Sequence, residues 1–151
     1  MKDSVEREVF IAAPVQRVWE VVTTPEHINK WLWDFAEIDL RVGGAMSLAG
    51  TYQGKPFSYE ATIEHLDPPR VFAFRWAEGG WVDGGSTRVE ITLMAENEGT
   101  RLRLVESGFA SLDISDELRD SLFGDISGGW KNELGHLVAY VEGLQSRSAA
   151  L

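Results

Sequence analysis

The sequence predicts an α+β fold in which a curved antiparallel sheet of about seven strands surrounds one long C-terminal helix. Between residues 35 and 106, apolar and polar residues alternate in short runs separated by turn residues, which is typical of strands joined by hairpins. From Leu118 to Leu144, apolar residues instead recur at helical spacing. A single helix is narrower than such a sheet, so the sheet must curve around it, and a cavity is expected between them.

One strand and two short helices are predicted at the start of the chain. Apolar and polar residues alternate from Val5 to Ile11, which predicts a strand. Pro14 suits the first position of the following helix, because its missing N–H needs no partner there. Thr24 is predicted to cap a second helix that has Pro25 just inside it.

The other strands are predicted from alternation in the middle of the chain, at residues 36–40, 46–50, 57–66, 71–76, 88–93 and 101–106. The Gly43-Gly44 pair predicts a turn or a bulge. Residues 67–69, Asp-Pro-Pro, end the longest strand because proline cannot donate to a ladder. The glycine-rich residues 78–85 predict a hairpin loop with Trp81 at its tip, either as a lid over a cavity or packed on neighbouring strands.

The last predicted element is a long amphipathic helix that begins near Ser115 and ends before a frayed tail at residues 146–151. Gly124 or the Gly128-Gly129 pair predicts a kink, since glycine weakens a helix. The pair also suggests that the helix backbone closely approaches a ligand or a strand. Trp130 would then face the cavity, although simple core packing explains it equally well.

The composition indicates an acidic protein with 24 acidic and 14 basic residues and a net charge of −10. Nucleic acids and membrane surfaces are polyanionic and would repel such a chain, so nucleic-acid binding is not expected. No apolar run approaches the roughly 20 residues of a membrane span, so membrane insertion is not expected either. The chain has no cysteine, and its charged start lacks the apolar core of a signal peptide. We therefore expect a cytoplasmic protein with a single domain over residues 1–151 and a core at about 5–145.

Sequence motifs for metal, phosphate or nucleophilic chemistry are missing. His27, His65 and His136 lie far apart, and none has a second ligand at the spacing of a helical metal site. No Gly-x-Ser-x-Gly elbow occurs, and the glycine-rich loop does not fit a phosphate-binding fingerprint. The sequence therefore predicts neither a metal site nor a cofactor.

Glu106 is the main candidate for a polar group inside the fold. It continues the inward-facing alternation of Leu102 and Leu104, and a buried carboxyl group needs either a partner or a proton. Glu106 could therefore bind a polar ligand group or move a proton. Alternatively, it reaches solvent at the strand end or pairs with Arg7. The hydroxyl of Tyr59 is a second candidate for orienting a ligand, although plain packing would also explain this residue.

Several stretches of the sequence, in this order and spacing, resemble the SRPBCC superfamily: IAAPVQRVW (11–19), TPEHINKWL (24–32), RVGGAM (41–46), DPPRVFAFRW (67–76) and Gly129-Trp130. Within this superfamily, the chain resembles bacterial relatives of the C-terminal domain of the heat-shock-protein-90 ATPase activator. The resemblance implies the helix-grip fold shared by START lipid-transfer domains and birch-pollen-type allergens. It also implies that the chain corresponds to the later domain of a two-domain co-chaperone.

The leading functional hypothesis is the binding of a small hydrophobic or aromatic molecule between the sheet and the C-terminal helix. The predicted ligand-binding residues are Met46, Leu48, Tyr59, Phe74, Trp76, Trp81, Ile91, Leu104, Glu106, Trp130, Leu137 and Val141. The alternative is an enzyme resembling cyclases, aromatases or hydrolases, for which Glu106 and Tyr59 are the candidate catalytic residues. A further alternative is a stress-response protein that binds a chaperone or a second copy of itself.

Overall fold

The structure of the protein is a computed structural model that describes residues 3–78 and 85–150. Its elements follow the predicted order of one strand, two short helices, six strands and a long helix. They are β1 (Ser4–Ile11), α1 (Val15–Thr23), α2 (Pro25–Trp31), β2 (Phe35–Ile38), β3 (Ala45–Tyr52), β4 (Lys55–Asp67), β5 (Val71–Glu78), β6 (Thr87–Glu96), β7 (Gly99–Ser107) and α3 (Asp116–Ala150). A single 3-10 turn, Phe109–Ser111, links the last strand to α3.

The seven strands form one antiparallel sheet with the order β1-β7-β6-β5-β4-β3-β2. Most neighbours in this order are consecutive in the chain, as expected for strands joined by hairpins. The exception is β1, which pairs along its whole length with β7. The sheet curves around α3, which confirms the helix-grip fold predicted from the sequence.

The core lies between the concave face of the sheet and one face of α3. On the helix, the buried residues are Trp130, Leu134, Leu137 and Val141, whose spacing of three or four places them on a single face. Fully burying one such side chain contributes roughly 1.5–3 kcal/mol to stability. Both short helices add buried residues to the same core, among them Trp19 of α1. None of the described helices is long and apolar enough to cross a bilayer.

Two helix boundaries differ from the predictions and two agree with them. Pro14 is the cap that precedes α1 rather than its first residue. Thr24 caps α2 and Pro25 lies just inside it, as predicted, although the Thr24 side chain makes no capping hydrogen bond. The long helix is continuous through its glycines and shows helical backbone as far as Ala150, where a frayed tail was predicted. Its start agrees with the prediction, because Ser115 Oγ accepts a hydrogen bond from the N–H of Leu118 at 3.2 Å.

The Gly43-Gly44 pair forms the turn that precedes β3. Gly43 has a φ of 83°, which favours glycine, and a Cβ on Gly44 would lie 2.0 Å from the carbonyl oxygen of Asp39. The irregularity in the sheet lies beside this turn, in β4 between Ile63 and His65. Of the two predicted alternatives, the glycines therefore make the turn, and the bulge belongs to the neighbouring strand.

Candidate functional site

A cavity of about 430 Å³ lies between the sheet and the N-terminal half of α3. Strands β3, β4, β5 and β7 form one wall, and α3 contributes the other from Leu122 to Glu133. The residues that link α2 to β2 close one side with Leu32 and Trp33. Because Asp125, Gly129 and other lining residues are exposed, the cavity opens to solvent along α3.

Aromatic rings form most of the cavity wall. Trp33 stacks on Trp76 with ring centroids 5.4 Å apart, and Trp76 stacks on Trp130 at 5.9 Å. The interplanar angles are 12° and 17°, so the three indoles form a nearly parallel stack. Tyr59 packs against Trp76 at 4.4 Å, and Phe57 meets the edge of Trp33. Such a surface favours flat, apolar molecules.

Glu106 lies at the end of β7 with none of its surface exposed. The sheet register places it opposite Val89, beside Thr87 of β6, and Thr87 is itself paired with Trp76 of β5. The carboxylate accepts hydrogen bonds from Trp76 Nε1 at 3.0 Å and Thr87 Oγ1 at 2.5 Å on Oε2. Its Oε1 accepts a third from Trp130 Nε1 at 2.7 Å. The carboxyl group thus joins three strands to α3 and fixes two of the three stacked indoles.

Burial raises the pKa of Glu106 above its usual value, although hydrogen bonds from Thr87, Trp130 and Trp76 act in the opposite direction. An indole N–H can only donate, whereas a threonine hydroxyl can donate or accept. Thr87 is therefore the partner that can receive a hydrogen bond from protonated Glu106. This arrangement satisfies the carboxyl group in both of its protonation states.

The raised pKa of Glu106 leads to a prediction about stability. The carboxyl group of Glu106 binds a proton more tightly in the folded protein than in the unfolded chain. Its contribution to the free energy of unfolding is therefore complete below the usual pKa of 4.5. It should be lost as pH rises through the folded pKa, with a slope of at most about 1.4 kcal/mol per pH unit. Urea denaturation of the wild type and Glu106→Gln at a series of pH values measures it. A stability difference between the two that does not change with pH would contradict the assignment.

Two further acidic residues face the cavity from α3. Asp125 is exposed at the opening, whereas the side chain of Glu133 is 17% exposed. Burial raises the pKa of Glu133, and the nearby His136 and a side-chain hydrogen bond with Asn132 act against this. The Oε1 of Glu133 lies 3.6 Å from His136 Nδ1, while its Oε2 is buried and has no hydrogen-bond partner among the described residues. An unpartnered buried oxygen is unfavourable.

The predicted ligand-binding residues divide into two groups. Four of them line the cavity, namely Tyr59, Trp76, Glu106 and Trp130. Seven are buried in the core beside or beyond it, namely Met46, Leu48, Phe74, Ile91, Leu104, Leu137 and Val141. The two helical members of the second group follow the cavity-lining part of α3 and pack against the sheet. Trp81 lies outside the described residues.

Other lining residues were missed by the sequence analysis. On α3, the spacing of Leu122, Ile126, Gly129 and Glu133 is four, three and four, which places them on one face. That periodicity could have identified Glu133. In contrast, Trp33 lies in the irregular link between α2 and β2, where no periodicity indicates the direction of a side chain.

Arg7 and the Gly128-Gly129 pair have different surroundings from those predicted. The Nη2 of Arg7 donates to Ser127 O at 3.0 Å and to Ser127 Oγ at 2.7 Å, so this side chain ties β1 to α3 instead of pairing with Glu106. A Cβ on either glycine of the pair would meet no atom within 4 Å. The helix therefore does not approach a strand closely at this pair, and no such contact requires glycine at either position.

No group of three or more His, Asp or Glu side chains within residues 3–78 and 85–150 is arranged to hold a metal ion.

Solved structures with the same fold include two that are more than 25% identical to this chain. CalU16 from Micromonospora echinospora matches with 27% identity and a TM-score of 0.69, over 95% of this chain and 79% of CalU16. DynU16, a protein of the dynemicin biosynthetic locus, matches with 26% identity and a TM-score of 0.74, over 94% of this chain. The chain spans 48% of the length of DynU16, or about half of it.

The Aha1 dimer from Colwellia psychrerythraea is a more distant neighbour. It has 16% identity and a TM-score of 0.72, covering 93% of this chain and 97% of that one, and shows the fold alone. No curated protein sequence matches the chain significantly. The sequence model described as "Activator of Hsp90 ATPase homolog 1-like protein" matches residues 12–142, which is most of the chain and includes the α3 wall of the cavity. The chain therefore belongs to the activator of Hsp90 ATPase homolog 1-like family.

Proposed function

We propose that the protein binds a small, largely hydrophobic molecule with a flat aromatic part in the cavity between the sheet and α3. The observation that carries this proposal is an open cavity of about 430 Å³ whose wall contains three stacked indoles. Ligand-binding cavities usually have volumes of roughly 300–1,000 Å³. Burying a ligand there would contribute roughly 25 cal/mol for each Å² of apolar surface removed from water.

The hydrogen bonds of Glu106 support a binding role. They hold the rings of Trp76 and Trp130 in fixed orientations before a ligand arrives. A wall that is already ordered loses little conformational entropy on binding, which favours affinity. Within this proposal, Glu106 acts by positioning the aromatic wall.

An enzyme is the second candidate, and the complete burial of the Glu106 carboxyl group is the observation that favours it. A carboxyl group with a raised pKa can act as an acid or a base on a substrate in the cavity. Its partners, however, are Trp76, Thr87 and Trp130, and the Tyr59 ring packs against Trp76. Two of these three partners are indole donors that cannot take a proton, which favours binding over catalysis.

Native mass spectrometry of the purified protein tests the proposal most directly, because a retained small molecule would appear as added mass. Thermal-shift measurements with aromatic and aliphatic compounds are the second test. A ligand at a hundred times its dissociation constant stabilises the folded protein by about 2.7 kcal/mol. If no compound of either class is retained or stabilises the protein, the binding proposal is wrong, and a chaperone or a second copy of the chain becomes the better candidate partner.

Gly129 and Gly128 provide a matched pair of variants. Gly129 lines the cavity and Gly128 does not, yet a Cβ would meet no atom within 4 Å at either position. Both Gly129→Leu and Gly128→Leu should stabilise α3 by up to about 1 kcal/mol, since leucine is the better helix former. Only Gly129→Leu should narrow the cavity, and we expect it to weaken binding of the neutral probe 2-naphthylmethanol about tenfold or more.

Isothermal titration calorimetry with 2-naphthylmethanol measures this difference, and urea denaturation confirms that both variants fold. Equal affinities for the two leucine variants would place the bound probe away from Gly129 and would contradict the proposed site.

A further inference from the structure

The ionisable groups that face the cavity are all acidic. Glu106, Asp125 and Glu133 all line it, whereas no lysine, arginine or histidine is among the described lining residues. The protein as a whole carries a net charge of −10, which adds a field that attracts cations and repels anions. An anionic ligand would therefore meet acidic groups at the wall and a repulsive field outside it.

Glu133 is the acidic group that is best placed to contact a ligand. Its Oε2 is buried with no hydrogen-bond partner among the described residues, while its Oε1 lies near His136. Glu106 differs, because its two oxygens already accept hydrogen bonds from three donors. A donor on the ligand would thus be bound by Glu133, with Asp125 adding negative charge at the opening.

The aromatic wall independently favours a positively charged ligand. The face of an indole ring carries partial negative charge and attracts ammonium groups lying within about 6 Å. Trp33, Trp76 and Trp130 are joined in one stack, and Phe57 and Tyr59 extend the aromatic surface on the strand side. Tryptophan gives the strongest of these interactions, and they strengthen where water is excluded.

We propose that the cavity binds a hydrophobic amine in its ammonium form, with the apolar body against the indole stack and the cationic nitrogen near Glu133. This inference rests on the proposed function and adds the charge class of the ligand. A positive group would satisfy the unpartnered oxygen of Glu133 and interact with the aromatic faces. A neutral aromatic molecule could at most donate an uncharged hydrogen bond to that oxygen, which is weaker, and a carboxylate would be repelled.

Three probes of nearly equal shape separate these possibilities: 2-naphthylmethylammonium, 2-naphthylmethanol and 2-naphthoate. Their affinities for the intact protein are measured by isothermal titration calorimetry at neutral pH and low salt. We expect the ammonium to bind about tenfold more tightly than the alcohol, a difference of about 1.4 kcal/mol, and the carboxylate to bind most weakly. Added salt should reduce the preference for the ammonium.

A pair of variants identifies the group responsible. Glu133→Gln removes the charge at the cavity, and Glu117→Gln removes the same charge from an exposed position in the first turn of α3, away from the lining. Both variants change the net charge equally. Glu133→Gln should weaken ammonium binding about tenfold and leave alcohol binding unchanged, whereas Glu117→Gln should affect neither. Circular dichroism checks that both variants are folded.

The outcomes distinguish this inference from the proposed function. If the alcohol binds as tightly as the ammonium, or the carboxylate binds most tightly, the charge preference is wrong and the binding proposal stands. If Glu133→Gln and Glu117→Gln weaken ammonium binding equally, Glu133 is not the recognising group. If none of the probes binds and no molecule is retained by the purified protein, the proposed function and this inference both fail.

Discussion

Replacing Glu106 with leucine is expected to lower the free energy of unfolding by about 3–5 kcal/mol. The substitution leaves two indole N–H groups and one hydroxyl without their acceptor, from Trp76, Trp130 and Thr87. Each unsatisfied buried donor costs about 1–3 kcal/mol. Leucine offsets part of this destabilisation, because no carboxyl group then has to be buried. The cost of leaving three donors unsatisfied is larger than this gain. The loss would be a large fraction of the roughly 5–15 kcal/mol that stabilises a typical protein.

Urea denaturation near neutral pH measures the effect, and Thr87→Val is the comparison. That variant removes one donor and leaves the carboxyl group with both indole partners, so its cost should be about 1–2 kcal/mol. If Glu106→Leu proved as stable as the wild type, the carboxyl group would not be holding the indoles in the folded protein.

Arg119→Met is expected to lower the free energy of unfolding by about 2–4 kcal/mol. Arg119 is a half-buried residue of α3 whose guanidinium group donates to the carbonyl oxygens of Phe109, Leu112 and Ile114 at 2.8–3.1 Å. These carbonyls belong to the segment between β7 and α3, where Phe109 O also accepts from the N–H of Leu112 and Leu112 O from the N–H of Ile114. Methionine keeps most of the apolar stem but leaves all three carbonyls without this donor.

Thermal unfolding tests this prediction, since a change of about 1 kcal/mol in the free energy of unfolding shifts the Tm of a domain of this size by roughly 2–4 °C. Arg119→Lys should recover only part of the loss, because a single ammonium group cannot reproduce the fork of the guanidinium. Arg41→Met is the control, since Arg41 is 69% exposed and pairs with Asp39 on the surface. Equal Tm values for Arg119→Met and Arg41→Met would mean that the segment does not depend on Arg119.

The strands and the inward direction of Glu106 could be predicted because a strand repeats every two residues. Leu102 and Leu104 point to the interior, so Glu106, two residues further along the strand, must point there too. The structure buries Glu106 completely. The three donors around it could not be predicted in the same way. Trp76 and Thr87 belong to other strands, and their distance from Glu106 depends on the sheet register.

The extent of the cavity was harder to predict than its existence. Inward-facing residues such as Leu104 and Trp76 follow the same pattern in sequence, yet the former is in the packed core and the latter lines the cavity. The difference depends on which part of α3 lies opposite each strand, a tertiary property that no local pattern encodes.

The parallel stack of Trp33, Trp76 and Trp130 also has an optical consequence. Indole chromophores with ring centroids 5.4 Å and 5.9 Å apart couple their excited states, so the stack contributes to the ultraviolet circular dichroism spectrum. This contribution depends on how the rings are oriented, and Glu106 fixes two of the three rings. A molecule that binds between or against the rings would therefore change the ultraviolet circular dichroism spectrum, and its binding could be followed without an added label.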